Sequence, residues 1–472
     1  MLIERNALGW TMLWVAVTGC SESTAPIDPE PVEATVAVDS DAGPIFRTLN
    51  IEASAAVGIQ VEYWGAATPR LRVTPASRAT THAVFLPGLR AGELYQYEIR
   101  TNTAGQVLAQ GQFTTDSLPP DLAQVRFTAV GTPTARLTML ELRGAAFSGY
   151  VVVDQDGAVV WYRRGIAESF VRRANGDLVL LEADVGLTVI RPDLTVVAQL
   201  LSTSGRRMHH DVITTPANTL LFLTGDTVTI AGTTWSGDAI WEWGPEDGTA
   251  ARLWRAADFL SPDLDFGPKS MPSDWLHANA LALGPRGNVL ISLPALNQII
   301  SIAPDFQSLE WRLGGPRATI VPDEEFWFQH TAAEIAPDRV LLFDNGRDRP
   351  SGLYSRALEL ELELERGTAT RVWEFRPQPD IYAPIVGSAR RLSNGNTLVD
   401  FGTIAGLGSS SGPITVYESG PTGLVTWRLR IDGALLNYRA SALPSIAGEE
   451  VVVPPSRNRL PRESPSAEAS PS

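Results

Sequence analysis

The chain has 472 residues, 44% of them hydrophobic and 19% charged, a balance that fits a folded globular protein and excludes one that is disordered throughout. Its formal net charge of -15 at pH 7 excludes nucleic acid or an anionic membrane surface as the main partner, because phosphate binding needs clustered positive charge. Lys269 is the single lysine, so an anionic ligand has to be met by arginine or histidine.

Residues 1–20 end in the apolar run Leu13-Trp14-Val15-Ala16-Val17-Thr18-Gly19-Cys20, behind the basic flank Arg5. The run is too short for a membrane span and is shaped like a cleaved leader. It resembles a bacterial lipoprotein signal peptide, which makes Cys20 the lipidation site and, with Ser21 after it, implies an anchor in the outer membrane of the cell envelope. Cys20 is the sole cysteine, so no intramolecular disulfide is available. Residues 21–34, rich in Ser, Pro and acidic side chains, read as a flexible tether.

From 35 to 117 short alternating strands recur, among them Thr35-Val36-Ala37-Val38, Gly58 to Trp64 and Leu94 to Arg100. About seven such strands make a β-sandwich, and the run from Leu86-Pro87-Gly88-Leu89 through Tyr95-Gln96-Tyr97 to Gly111-Gln112-Phe113-Thr114-Thr115 resembles the end of a fibronectin type III-like domain. Ser117-Leu118-Pro119-Pro120 is the linker.

Between 121 and 452 a turn rich in Asn, Gly and Asp repeatedly precedes an apolar strand, as in Ala174-Asn175-Gly176-Asp177, Arg286-Gly287-Asn288 and Ser393-Asn394-Gly395-Asn396. Trp161, Trp254, Trp311, Trp373 and Trp427 close successive units, and the wide first gap leaves room for one more, ending near Val196-Val197-Ala198. Six units of this length predict an all-β fold, a six-bladed β-propeller preceded by the small sandwich; a jelly roll or double sandwich is the alternative. Leu358 to Glu365 alternates with period two and reads as a half-exposed strand. Residues 453–472, rich in Pro, Ser, Arg and Glu, read as a disordered tail.

Four of the five histidines fall in three separate motifs: Met208-His209-His210-Asp211, Trp275-Leu276-His277-Ala278-Asn279 and Phe328-Gln329-His330-Thr331. Imidazole can serve as nucleophile, base or donor near neutral pH, so a shared site is expected where blades meet around a central channel. Period-two spacing predicts His277 and Asn279 on one strand face, and at most one of His209 and His210 facing the pocket. Each histidine also has an ordinary structural reading as a hydrogen-bonded strand residue.

These motifs, with Gly149 to Gly157, Phe343-Asp344-Asn345-Gly346, Tyr354-Ser355-Arg356-Ala357, Trp373-Glu374-Phe375 and Tyr438-Arg439-Ala440, resemble the bacterial arylsulfate sulfotransferase family over roughly residues 35 to 445. The resemblance implies that His330 attacks the sulfur of an aryl sulfate, giving a sulfohistidine that a phenol discharges. It also implies that His277, Asn279 and one of His209 and His210 hold the sulfuryl oxygens and manage the phenolic proton. His330, His277, His209 and His210 are thus the catalytic candidates, with Asn279, Thr331 and Arg347 as substrate-binding candidates. Phenolic sulfates and phenols are the implied partners, with neither cofactor nor metal. The resemblance leaves open whether the sandwich supports a homodimer or shapes the pocket mouth. The family's sulfate-clamping arginine aligns with Pro294, so Arg206, Arg207, Arg347 or Arg349 has to substitute. Two other functions compete: a catalytically altered propeller that binds a small anionic or aromatic ligand or an envelope protein, and a metal-dependent hydrolase using three histidines.

Overall fold

The structure, a computed structural model, describes residues 32–103, 105–403, 412–447 and 451–452. The leader with Cys20, the tether up to residue 31 and the tail from 453 lie outside the described residues. The described chain is all-β; its only helical segments are three single 3-10 turns.

Six sheets follow one another, each built on the same antiparallel four-strand meander. The first joins Leu436–Leu443, Leu137–Arg143, Gly149–Asp154 and Val159–Arg164, so that a strand from the end of the chain completes the sheet begun by its middle. The second runs Ala167–Arg172, Leu178–Glu182, Gly186–Ile190 and Val196–Leu201; the third Met208–Thr214, Leu220–Ile230, Thr233–Trp243 and Ala250–Arg255. The fourth is Ala280–Leu283, Val289–Leu293, Gln298–Ile302 and Leu309–Leu313. The fifth, His330–Ala336, Arg339–Asp344, Arg356–Glu363 and Thr368–Phe375, gains Val321–Pro322 at its edge. The sixth, Ser388–Arg391, Thr397–Phe401, Ile414–Ser419 and Val425–Asp432, gains Arg126–Gly131.

The first strand of each sheet packs against the first strand of the next, and the contacts close into a ring. Bonds between neighbours join like positions, as in His210 to Glu168, Leu281 to Asp211 and Ala389 to Thr331, so all six strands start at one end of the ring. Their cooperative burial is what an amphipathic sheet edge requires.

The turn signals lie between first and second strands. Gly176, Gly287 and Gly395 sit at φ 92°, 82° and 88°, a region that costs residues with a Cβ dearly. Trp161, Trp254, Trp311, Trp373 and Trp427 all lie on fourth strands, and Val196–Leu201 is the fourth strand of the second sheet. The Trp161 and Trp427 indoles donate to Pro192 O and Gln155 O, pinning each outer strand to a turn of the next sheet. In Arg356–Glu363 the leucines are buried and Glu361 is exposed, but Glu359 is also buried, between Arg339 and Arg391; two guanidiniums compensate the carboxylate that the alternation would have put in water.

Residues 34–114 form two further sheets, one of Ala34–Asp39, Thr48–Val57 and Ala79–Phe85, the other of Leu71–Val73, Ile59–Trp64, Leu94–Thr101 and Val107–Thr114. They share a core of Leu49, Ile51, Ile59, Val61, Tyr63 and Ile99. Val451–Val452, expected to belong with the preceding unit, instead pairs with Leu71–Val73 and so belongs to this N-terminal pair of sheets. Period and turn chemistry carry no signal for so distant a pairing.

Candidate active site

The starting end of the ring gathers Glu168, His209, His210, His277, His330 and Tyr438, one or two from each of five sheets or the loops leading into them. The His210 ring centroid lies 5.0 Å from His277, 5.9 Å from Tyr438 and 4.9 Å from His209. His330 stands 6.2 Å from Tyr438 and 6.1 Å from Phe328, which in turn lies 5.7 Å from His277.

The backbone here is unusual. His210, His277, Phe328 and Thr331 have φ of 61°, 56°, 55° and 47°, in the left-handed region that residues with a side chain seldom occupy and a β-branched one least of all. Such strain collects where surrounding contacts over-determine a functional geometry. It also corrects one expectation. His277 to Asn279 precedes the strand Ala280–Leu283, so the period-two argument does not apply to it. The pairing of Met208–Thr214 with its neighbour slips between Met208 and Val212, and the two adjacent imidazoles are bonded to each other, while His210 alone of the pair stacks against His277 and Tyr438.

Hydrogen-bond partners fix the tautomers. Asn345 donates its amide hydrogens to Ala383 O and Val386 O, both at 2.7 Å, so its Oδ1 must face His330 Nδ1, 2.7 Å away, and accept. Nδ1 of His330 therefore carries the proton and Nε2 carries the lone pair. Burial, reinforced by the positive charge of Arg439, holds this imidazole down to about 3 against the opposing pull of Asn345, so it is neutral at physiological pH. His277 Nδ1 lies 2.7 Å from Asp274 Oδ2; a carboxylate can only accept, so Nδ1 donates and Nε2 is the nitrogen left to exchange a proton.

His209 and His210 divide their work. Burial pulls His209 down, but the hydrogen bond to Asp238 Oδ1 at 3.2 Å, the Asp238 charge and Glu168 outweigh it and raise its affinity for a proton. His210 is held well below the ordinary value by burial first, and then by the positive charge of His209 and Arg439. The 2.9 Å contact between their Nδ1 atoms then has His209 donating and neutral His210 accepting, so His210 presents Nε2–H. Its backbone N–H is fixed by Glu168 Oε2 at 2.6 Å. His210 is the member of the pair that faces His277 and Tyr438, and His209 supports it from behind.

Below the imidazoles lies a buried layer. Asn279 donates to Gln329 O at 2.9 Å, and its own carbonyl accepts Arg439 Nη2 at 2.7 Å. Arg439 is paired with Asp211, which also takes Ser169 Oγ and the Leu281 N–H. Among the described residues Asn279 Oδ1 and the Tyr438 hydroxyl are buried without a hydrogen-bond partner. Thr331 sits in this layer, its hydroxyl accepting the Ala389 N–H at 3.0 Å, rather than among the imidazoles.

The search for a cation gives a mixed result. Arg347 stacks 4.8 Å above the Phe328 ring and makes no hydrogen bond or ion pair among the described residues, so its guanidinium is free beside His277 and His330. Arg349 is committed to Asp344 and Tyr354 O, and Arg206 to Leu201 O, while Arg207 is exposed. Pro294 lies past the end of Val289–Leu293, in a buried 3-10 turn. Lys269 pairs with Asp348, next to Arg347. Among the described residues no three His, Cys, Asp or Glu side chains are arranged to hold a metal ion.

Sequence reasoning missed roles for Asn345, Tyr438, Arg439, Asp238 and Glu168. The first three lay inside quoted motifs; what assigns them is a convergence across sheets that one sequence does not display.

A neutral, buried histidine thus sits with three further imidazoles at one end of a closed ring of sheets, the arrangement of a candidate enzyme site. The arylsulfotransferase (ASST) family profile matches residues 126–422, and the chain belongs to that family. The arylsulfate sulfotransferase AssT of Escherichia coli O6:H1 is similar at 25% identity over 183 residues, 30% of this chain and 30% of that protein, so the match spans under a third of the relative. Among solved structures, virginiamycin B lyase from Staphylococcus aureus is similar at 9% identity with a TM-score of 0.35, over 65% of this chain and 99% of that one. AztD from Citrobacter koseri is similar at 9% identity and a TM-score of 0.34, over 82% of this chain and 98% of that one. Scores this low bear on neither function nor blade arrangement.

Proposed function

We propose that this chain transfers a sulfuryl group from a phenolic sulfate ester to a phenol through a sulfohistidine at His330. The observation that carries the reading is the tautomer lock: Asn345 puts the proton of a neutral, buried imidazole on Nδ1 and so leaves Nε2 nucleophilic. Nε2 attacks sulfur, an N–S bond forms as the S–O(aryl) bond breaks, and the phenolate leaves with the electron pair. His210 Nε2–H and Arg347 are suited to hold the sulfuryl oxygens, where donors act on charge that grows in the transition state. His277, oriented by Asp274, is suited to pass the phenolic proton: as an imidazolium it protonates the departing oxygen, and the neutral imidazole that remains takes the proton of the incoming phenol. The acceptor oxygen then attacks sulfur, the N–S bond breaks, and His330 is regenerated.

The same reading takes the six sheets as blades of a six-bladed propeller, supported by the closed ring of first strands. It takes the N-terminal pair of sheets as a fibronectin type III-like sandwich, supported by Tyr95, whose hydroxyl reaches back to the Arg90 N–H at 2.7 Å as a tyrosine corner does. Lipidation at Cys20 would place the enzyme on the cell envelope; loss of radiolabelled palmitate in Cys20→Ser tests that separately.

The activity test is 4-nitrophenolate release from 4-nitrophenyl sulfate with and without added phenol. Release stimulated by the acceptor and absent from His330→Ala supports transfer. Release that ignores the acceptor would mean hydrolysis, and no release from a panel of aryl sulfates would favour a binding propeller.

A further inference from the structure

The opposite end of the ring holds a second site that the transfer chemistry does not use. A cavity of about 450 Å³ lies there, separated from the imidazoles by the layer of Asp211, Asn279 and Arg439. Its walls come from the later residues of the first strands, including Ala282, Ala333, Ile335 and Arg390, with Thr331 and Ala389 at the inner limit. Alanines at these positions are what leaves the space open: a larger side chain would fill it.

The cations of this cavity are not equivalent. Arg439 is paired with Asp211, and Arg391 with Glu359. Arg390 makes no hydrogen bond or ion pair with any described residue, and its Nε is buried without a partner. The carboxylates that act on it from a distance are Asp211, already committed to Arg439, Ser169 and two backbone N–H groups, and Glu141, which burial pushes up to about 8 and so keeps mostly protonated at neutral pH. The wall therefore carries one uncompensated guanidinium. Buried polar groups in folded proteins are nearly always paired, and a guanidinium presents a planar fork of donors matched to oxyanions.

We propose that Arg390 is the anchor of a second, non-catalytic site that binds a compact oxyanion of the sulfate or phosphate type at the far mouth of the channel. The Thr331 hydroxyl supplies a donor on the inner side, and the alanine walls limit the ligand to a small group. This does not depend on the transfer reading, since it invokes no imidazole.

The test is calorimetric titration of the full chain with sulfate and, in a parallel arm, phosphate and acetate, in an Arg347→Ala background that weakens anion binding at the histidine end. Saturable sulfate binding that drops by about ten-fold or more in Arg390→Gln, and is partly restored in Arg390→Lys, is expected for a charge-assisted contact. A stronger response to acetate than to sulfate or phosphate would overturn the assignment to tetrahedral ions. Equal binding by Arg390→Gln, or none by the parent, would overturn the site. Crystals soaked in selenate give a check that needs no variant: an anomalous peak within hydrogen-bond distance of the Arg390 guanidinium is expected, and selenate only elsewhere, or nowhere, contradicts it.

Discussion

The two ends of the ring draw largely on the same first strands and the loops leading into them, and differ in how regular the backbone is. At the starting end the backbone turns left-handed at His210, His277 and Phe328, register slips, and each imidazole is bonded to a partner that sets its proton. At the other end the strands are regular apart from a break between Glu334 and Ala336, the walls are largely alanine and aliphatic, and among the described residues one guanidinium stands alone. Chemistry that needs fixed lone pairs is built where the backbone departs from the sheet, because there adjacent side chains can be bonded to each other. Regular strands are left to define width and charge.

The sharpest way to break this contrast is to remove the nucleophile. His330→Ala should lower aryl-sulfate turnover by about a thousand-fold or more while leaving the protein folded, since covalent catalysis acts as a unit that is lost with its nucleophile. A loss below ten-fold in the phenolate assay would mean another group forms the bond.

Next comes the layer between the two ends. Arg439→Gln leaves Asp211 and the Asn279 carbonyl buried without their cation, and about 3–5 kcal/mol of stability should go with it. Chemical denaturation of Arg439→Gln beside the double variant Arg439→Met with Asp211→Asn separates a pairing effect from a packing one: the double variant, neutral but still able to accept from Ser169 and the Leu281 N–H, should recover much of the loss.

Asn345→Ala frees the His330 tautomer without touching substrate. Turnover should fall by about 10–100-fold, the range for removing a partner that orients a functional histidine. Because the effect is on the lone pair and not on binding, KM should move little; a change confined to KM would assign Asn345 to substrate instead.

The smallest effect is a pair of pH dependences of opposite sign. His330 takes up a proton near 6.5 when unfolded but only near 3 when folded, so its stabilising contribution is complete above pH 6.5 and is lost as pH falls from there toward 3. Glu141 is the reverse: with about 8 in the fold against 4.5 when unfolded, its contribution is complete below pH 4.5 and is lost as pH rises toward 8. Melting curves of His330→Asn and Glu141→Gln should flatten the acid and alkaline flanks respectively. The same flank flattened in both would dissolve the distinction.

Much of the architecture was legible before any coordinates. Asn-Gly turns and fourth-strand tryptophans follow from local chemistry, positive φ at a tight turn and a large ring covering the next sheet, and both survive in a single sequence. The histidine motifs could likewise be grouped by residue type alone. What was hidden depends on ring closure or on irregular backbone. Leu436–Leu443 brings Tyr438 and Arg439 beside a sheet that begins some 300 residues earlier, as the Glu141 to Asn437 contact shows with its separation of 296. Val451–Val452 returns to the N-terminal sheets in the same way. Strand alternation misplaced His277 relative to Asn279, and could not place His209 behind His210, because left-handed residues abolish the period on which that argument rests.

The most direct measurement is intact and peptide mass spectrometry of the protein quenched at alkaline pH after exposure to 4-nitrophenyl sulfate without acceptor. The account predicts the mass of one SO3 group on the peptide containing His330, discharged when phenol is added and absent from His330→Ala. No adduct in a protein that releases phenolate, or an adduct on any other residue, would contradict it.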